Sequence, residues 1–131
     1  MPFELTMLAL AIVLGVLQLL AAAMAATSQR GLAWNASARD GHPKPLTGVA
    51  GRLQRAWSNF QETFPFFAAA VLAVVIAGRQ GAHSELGVQL YLGARLLYVP
   101  LYALGVPYLR SLVWAVSMAG IALLVWQLLR F

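Results

Sequence analysis

The segment GRLQRAWSNFQETFPFF, residues 51–67, sets a row of polar side chains at the start of a long apolar run. Four of its polar positions, Arg52, Arg55, Asn59 and Glu62, are separated by 3, 4 and 3 residues. At about 100° per residue, these positions fall within an arc of about 80° on one face of an α-helix. The segment therefore predicts a helix that carries these four side chains in one polar stripe.

The composition of the whole chain indicates the environment of this helix. Of 131 residues, 61% are hydrophobic and 10% are charged, with a formal net charge of +5 and no cysteine. Soluble domains average about 45–50% apolar and about 25% charged residues. We therefore predict a single-domain integral membrane protein over residues 1–131. Disorder, a disulfide scaffold, a thiolate zinc site and a cysteine nucleophile are excluded.

Four segments are apolar enough to form helices that cross a bilayer core of about 30 Å. We predict transmembrane helices at residues 4–28, 52–78, 86–104 and 107–130. The third segment is interrupted by one charge, that of Arg95. The predicted fold is an all-α bundle of four transmembrane helices.

Basic residues are distributed unevenly between the two ends of these spans. The polar segment 29–51 contains three of them, and two more follow at the start of the second span. The opposite side carries Arg79 and Arg130. The positive-inside rule therefore places the 29–51 loop and the 105–107 turn in the cytoplasm, with both termini outside.

A second polar stripe lies on the predicted third helix, where Arg95, Tyr98 and Tyr102 are spaced by 3 and 4 positions. The second and third helices are antiparallel neighbours. At 1.5 Å per residue, Glu62 and Arg95 lie at about 15 and about 14 Å from the cytoplasmic ends of their helices. An unpaired charge at this depth is costly, so we predict a Glu62–Arg95 ion pair or a shared polar network.

The same depths place Asn59 opposite Tyr98, and Arg55 opposite Tyr102. Cations near this membrane face outnumber the one carboxylate, and such a surplus favours an anionic ligand. A tripeptide with two carboxylates and one ammonium group fits the charges and the tyrosines together. Two polar residues at the start of the last helix join the candidates, Arg110 and Ser111.

A purely structural interpretation stays open for part of this set. Glu62 and Arg95 can serve only to hold two helices together. Arg52 can extend toward lipid phosphates, as long basic side chains do near membrane surfaces. Arg30, at the end of the first helix, can act only as a determinant of topology.

Two motifs resemble the MAPEG superfamily, the membrane-associated proteins in eicosanoid and glutathione metabolism. The pattern R-x-x-R-A-x-x-N-x-x-E-T-x-x-P at 52–65 resembles the second-helix signature of that family. The segment ARLLYVPLYALGVPYLRS at 94–111 is similar to its third helix and the start of its fourth. The chain looks like bacterial members related to microsomal glutathione S-transferase and prostaglandin E synthase. The resemblance thus implies a bacterial inner-membrane protein.

The resemblance also implies a homotrimer that binds glutathione, its co-substrate, between adjacent subunits near the cytoplasmic face. Arg110 matches the arginine that stabilises the glutathione thiolate, and Ser111 follows it as in the prostaglandin E synthase branch. Ser58 departs from several members, which have a second arginine there. The candidate glutathione-binding residues are Arg30 (reaching in from the neighbouring subunit), Arg55, Asn59, Glu62, Tyr98 and Tyr102, with Arg52 added from the polar stripe.

The activity implied is that of a glutathione-dependent transferase or peroxidase acting on lipophilic electrophiles or lipid hydroperoxides. One alternative is a family member that binds or scaffolds without catalysis. Another is a small proton-coupled exporter, which would need Glu62 to titrate although Arg95 is expected to hold it ionised. No metal site is predicted, since His42 and His83 fall in different loops. No nucleic acid partner is expected, since no basic stripe is interleaved with exposed aromatic residues.

Overall fold

The computed structural model describes residues 1–130 of the chain, which contain four long helices and one short helix. In chain order they are α1 (Phe3–Arg30), α2 (Leu32–Ala36), α3 (Gly48–Ile76), α4 (Ala82–Ala103) and α5 (Pro107–Leu129). These residues contain no strand, so the predicted all-α class is confirmed. The long helices begin and end within four residues of the predicted spans. The short helix α2 is a correction, because the sequence predicts a loop throughout 29–51.

Three of these helices, α1, α3 and α5, are long and apolar enough to cross a membrane. The chain is therefore a multi-pass membrane protein. α4 does not belong to this group, and its sequence includes Glu85, Gln89 and Arg95 among the apolar residues. A fourth span over 86–104 stays a prediction.

α1 and α4 run in the same direction, and their buried residues recur with the same spacing along both helices. Each buried residue in the first part of α1 has a buried counterpart on α4 exactly 80 positions later. At the start of both helices, Ser84 Oγ donates a hydrogen bond to the carboxylate of Glu4. Ser84 and Arg95 thus lie inside the bundle, whereas Glu85 and Gln89 are exposed. The pairs are Glu4 and Ser84, Leu8 and Val88, Ala11 and Tyr91, Gly15 and Arg95, and Gln18 and Tyr98.

α3 packs antiparallel to α4 through aromatic and aliphatic side chains. The ring of Phe67 stacks on that of Tyr91, with 3.9 Å between the centroids. The hydroxyl oxygens of Thr63 and Tyr91 lie 3.0 Å apart, within hydrogen-bonding distance. We call this cluster the distal core, because it lies toward the end of the bundle away from the turn between α4 and α5. Its buried members include Leu8, Ala11, Phe67, Val71, Val74, Val88, Tyr91 and Leu124.

α4 and α5 form a hairpin whose helices approach closely at two glycines. A Cβ atom on Gly87 would lie 2.7 Å from the carbonyl oxygen of Gly120, and one on Gly120 would lie 2.6 Å from that of Gly87. Both positions therefore require glycine. In the connecting turn, Gly105 has a φ of 74° and Pro107 opens α5, as the sequence predicts for a tight turn. The hairpin brings the end of α4 next to the start of α5.

Candidate functional site

Two small cavities meet where α3, α4 and α5 come together near the α4–α5 turn. The first has a volume of about 160 Å³ and the second of about 170 Å³. Arg110 lines both of them. We call the pair of cavities the α3–α5 site. The first is lined by Asn59, Tyr98, Arg110, Ser111 and Trp114, and the second by Arg52, Arg55, Tyr102, Gly105, Val106, Pro107 and Arg110.

Tyr102 forms the centre of this site and contacts two cations. Arg55 Nε donates a hydrogen bond to the Tyr102 hydroxyl at 3.2 Å. The guanidinium of Arg110 lies 4.6 Å from the centroid of the same ring, within the range of a cation–π contact. The predicted proximity of Arg55 and Tyr102 is confirmed. The tyrosine therefore holds arginines from two different helices side by side.

The sequence predicts a Glu62–Arg95 ion pair or a shared polar network, and the structure forms neither between these two residues. Arg95 is fully buried, and its Nη1 donates instead to Asn59 Oδ1 at 2.8 Å. The side chain of Glu62 is exposed on the surface of the single chain. The reason is rotational, because three residues of helix turn Glu62 about 60° away from Asn59 and out of the bundle.

Arg52 and Arg30 are held by main-chain carbonyls. Arg52 Nη1 donates to Ala103 O at 3.2 Å, which links α3 to the end of α4. Arg30 Nε donates to Lys44 O at 2.8 Å, within the loop that follows α2. Arg52 thus borders the α3–α5 site, whereas Arg30 does not line it.

Arg30 instead lines a larger cavity, of about 410 Å³, on the other side of α3. Trp57 contributes to it from α3, and Trp34 and Arg39 contribute from α2 and the following loop. Trp57 lies about 160° around α3 from Arg55 at 100° per residue. Of the predicted binding residues, the structure thus places only Arg30 at the larger cavity. Glu62 lines neither this cavity nor the α3–α5 site on the opposite face of α3, and the other five line that site.

α3 exposes polar side chains along the face between these two groups. The exposed positions include Arg55, Ser58, Gln61 and Glu62. Polar and charged side chains in a membrane-spanning helix are expensive to expose to hydrocarbon and normally face a protein interior or a water-filled cavity. This face of α3 is thus poorly suited to direct contact with lipid.

Trp114 is a lining residue that the sequence reasoning missed. It stands 4 and 3 positions after Arg110 and Ser111, so the three share one face of α5. That spacing was available as a signal, but a tryptophan in an apolar helix resembles an ordinary packing residue. The indole adds an N–H donor and an aromatic surface to the cavity.

The donor set of the site is suited to an organic anion rather than to a metal ion. The residues that line its two cavities supply guanidinium, hydroxyl, amide and indole groups and include no carboxylate. Within residues 1–130, no three His, Asp or Glu side chains are grouped as metal ligands. His83 lies at the start of α4, where its Nδ1 is 3.3 Å from Arg130 Nη1.

Comparison with protein-family models gives a match over nearly the whole chain. The model described as the MAPEG family matches residues 6–130. This range includes both of the motifs that resemble that family and all of the residues that line the α3–α5 site. A comparison with curated proteins gives no match.

Proposed function

The chain belongs to the MAPEG family, and we propose that it is a glutathione-dependent transferase or peroxidase of the membrane. In this proposal it holds glutathione as the thiolate for attack on lipophilic electrophiles or lipid hydroperoxides. The observation that carries the proposal is the convergence of arginine, asparagine, serine and tyrosine side chains in the α3–α5 site, without a lining carboxylate. Family membership supports a role in glutathione or eicosanoid metabolism.

The charges of the site match those of glutathione. Arg52 and Arg55 lie beside the second cavity, where they can pair with a carboxylate. Glu62 is one turn of α3 beyond Asn59 and offers a partner for the ammonium group. Arg110, which lines both cavities, would then lie near the middle of the bound tripeptide. This is the position that the thiol occupies in glutathione.

A homotrimer of four-span subunits completes the site in this proposal. The two small cavities are too confined for a whole tripeptide, which indicates that a second surface contributes. The exposed polar face of α3 needs cover other than lipid. Arg30 lies in the larger cavity on the opposite side of α3, where it is available to a neighbouring copy. One subunit would thus supply the α3–α5 site and the next would supply Arg30.

Arg110 and Ser111 activate the thiol in the proposed mechanism. A free thiol has a pKa of about 8.5 and is mostly protonated at neutral pH. The guanidinium of Arg110 favours the thiolate by charge, and the Ser111 hydroxyl can donate a hydrogen bond to the sulfur. Trp114 forms the wall beside them. The protein thus contributes positioning and electrostatic stabilisation and needs no covalent intermediate of its own.

The two alternatives to this activity are separable by experiment. A non-catalytic binding protein would hold glutathione but turn over no electrophile. A proton-coupled exporter is disfavoured by the family match over residues 6–130. The exposed carboxylate of Glu62 nevertheless lacks the expected pairing with Arg95. Proton-driven cation uptake that is abolished by Glu62→Gln would support export instead.

Glutathione conjugation by the purified protein tests the proposed function. The protein in detergent would be incubated with glutathione and an apolar aryl halide or a lipid hydroperoxide. We expect turnover that saturates with glutathione and is lost in Arg110→Ala. Arg79→Ala, in the outer loop, is the matched control and should keep wild-type activity. Saturable binding without turnover of either substrate class would favour the non-catalytic alternative.

A further inference from the structure

We propose that Arg95 is a positioning residue that fixes the side-chain amide of Asn59, so that Asn59 presents N–H donors to the α3–α5 site. The inference rests on the proposed function and identifies the ligand group at Asn59 as an anion. Arg95 does not line either cavity, whereas Asn59 does. Arg95 therefore acts on the ligand through its neighbour.

The hydrogen-bonding chemistry of the two side chains determines which end of the Asn59 amide faces Arg95. An asparagine amide has one oxygen that accepts and one nitrogen that donates, and the two ends have nearly the same shape. An arginine has five N–H donors and no acceptor. The 2.8 Å bond from Arg95 Nη1 therefore requires the Oδ1 end of Asn59. Asn59 Nδ2 is left as the end available to the cavity.

The guanidinium of Arg95 is itself held in place, which makes it an effective anchor. It lies 4.3 Å from the ring centroid of Tyr98 and 5.7 Å from that of Phe60. Both distances fall within the range of cation–π contacts. Tyr98 lines the same cavity as Asn59. One buried arginine thus fixes two walls of the site at once.

The energetic cost of burying Arg95 argues against a role for this residue in stability alone. Arg95 is completely buried, and its Nε and Nη2 have no hydrogen-bond partner among the described residues. Unsatisfied buried donors are destabilising, and a well-packed apolar residue in place of a buried charge is often neutral or stabilising. A residue selected only to pack α4 against α3 would not be an arginine. The presence of an arginine at position 95 is better explained by the orientation that it imposes on the Asn59 amide.

With Asn59 fixed in this way, every polar group lining the first cavity can donate a hydrogen bond. The amide of Asn59 and the guanidinium of Arg110 offer N–H groups, and Ser111 offers a hydroxyl. A reversed amide would place an acceptor oxygen toward the ligand and repel an anion. The arrangement therefore selects a thiolate or a carboxylate over a neutral or cationic group.

Three variants separate orientation from folding. Asn59→Asp keeps an acceptor for Arg95, so its thermal midpoint should equal or exceed that of the wild type. Its second oxygen faces the ligand, so glutathione affinity should fall by tenfold or more, roughly the effect of one charged hydrogen bond. Arg95→Leu frees the amide and should lower affinity about fivefold to tenfold, mainly in KM. Arg95→Gln restores a donor and should recover most of the loss.

Binding of glutathione and of inorganic sulfate by all four proteins decides the inference. Retained midpoint with lost binding in Asn59→Asp supports it, and wild-type affinity in that variant overturns it. Wild-type affinity in Arg95→Leu also overturns it, and if Arg95→Leu does not fold, Arg95→Met, which keeps most of the length of the side chain but donates no hydrogen bond, takes its place. Sulfate binding that depends on Asn59, without glutathione binding, supports the inference and refutes the proposed function. Stabilisation of the wild type by neither anion overturns the inference.

Discussion

The half of the bundle next to the α4–α5 turn and the half distal to it are held together by different forces. The distal half has a continuous core of aliphatic and aromatic residues, with Phe67 stacked on Tyr91 and two glycines in close contact. The half next to the turn has a much smaller apolar cluster that includes Ala56, Ala94 and Tyr98. Arginine and tyrosine contacts join its helices instead. The distal half thus provides stability, and the half next to the turn uses that stability to hold polar groups in place.

The largest effect on this comparison should come from the glycine contact of the distal half. A Cβ on Gly120 would meet backbone atoms of α4, including Gly87 O at 2.6 Å. Backbone cannot move aside as a side chain can, so Gly120→Ala should lower the free energy of unfolding by about 1–3 kcal/mol or more. Thermal unfolding in detergent measures the loss. Gly93→Ala on α4 is the control, since nothing lies within 4 Å of its Cβ. Equal midpoints for the two variants would contradict the packing argument.

The next largest effect is expected for Arg110→Ala, which should lower the turnover rate and leave the stability of the bundle unchanged. Arg110→Ala should lower kcat by about 100-fold, the usual effect of losing one group that stabilises developing charge. Glutathione affinity should change much less, because the other cations of the site remain. Steady-state kinetics with varied glutathione separates kcat from KM. A loss confined to KM would show that Arg110 only binds.

A smaller effect is expected for the arginine that contacts Tyr102. Arg55→Ala removes a cation and the 3.2 Å bond to the tyrosine hydroxyl. Glutathione affinity should fall about tenfold, and the thermal midpoint without ligand should stay within a degree or two of wild type. Isothermal titration calorimetry gives the affinity. Gln54→Ala is the matched control, since Gln54 lines the cavity on the other side of α3. A large fall in midpoint would place Arg55 in the stability of the bundle.

The smallest effect is expected for a substitution in the distal core. Tyr91→Phe removes the hydroxyl that lies 3.0 Å from that of Thr63 and keeps the ring stacked on Phe67. The free energy of unfolding should fall by about 1 kcal/mol, the net contribution of a typical hydrogen bond. Glutathione binding should not change. A change in binding without a change in stability would contradict the division of the bundle into two halves.

The sequence predicted the helices well, because hydropathy and turn residues are local signals. The bounds of the long helices, the turn at Gly105 and Pro107, and the pairing of Arg55 with Tyr102 all follow from spacing along the chain. The family resemblance is confirmed by the match over residues 6–130. These features need no knowledge of how a helix is rotated about its axis.

The errors of the sequence analysis share one physical cause. Depth arithmetic gives the height of a residue in the bundle but not the direction in which its side chain points. The arithmetic gives Glu62 and Arg95 similar heights, yet in the structure Glu62 is exposed and Arg95 bonds to Asn59. Trp114 was missed for a related reason, since only packing shows that its face of α5 borders a cavity. Helix rotation is set by tertiary contacts, which a single sequence does not list.

The most direct test of the central claim is the ionisation of glutathione bound to the protein. Ultraviolet absorbance of the thiolate would be recorded at neutral pH for the wild type and for Arg110→Ala, each saturated with glutathione. S-methylglutathione, which has no ionisable thiol, gives the baseline. We predict a thiolate band in the wild type and its loss in Arg110→Ala, with glutathione still bound. A band of equal size in both proteins, or none in the wild type with glutathione bound, would contradict activation of the thiol by Arg110.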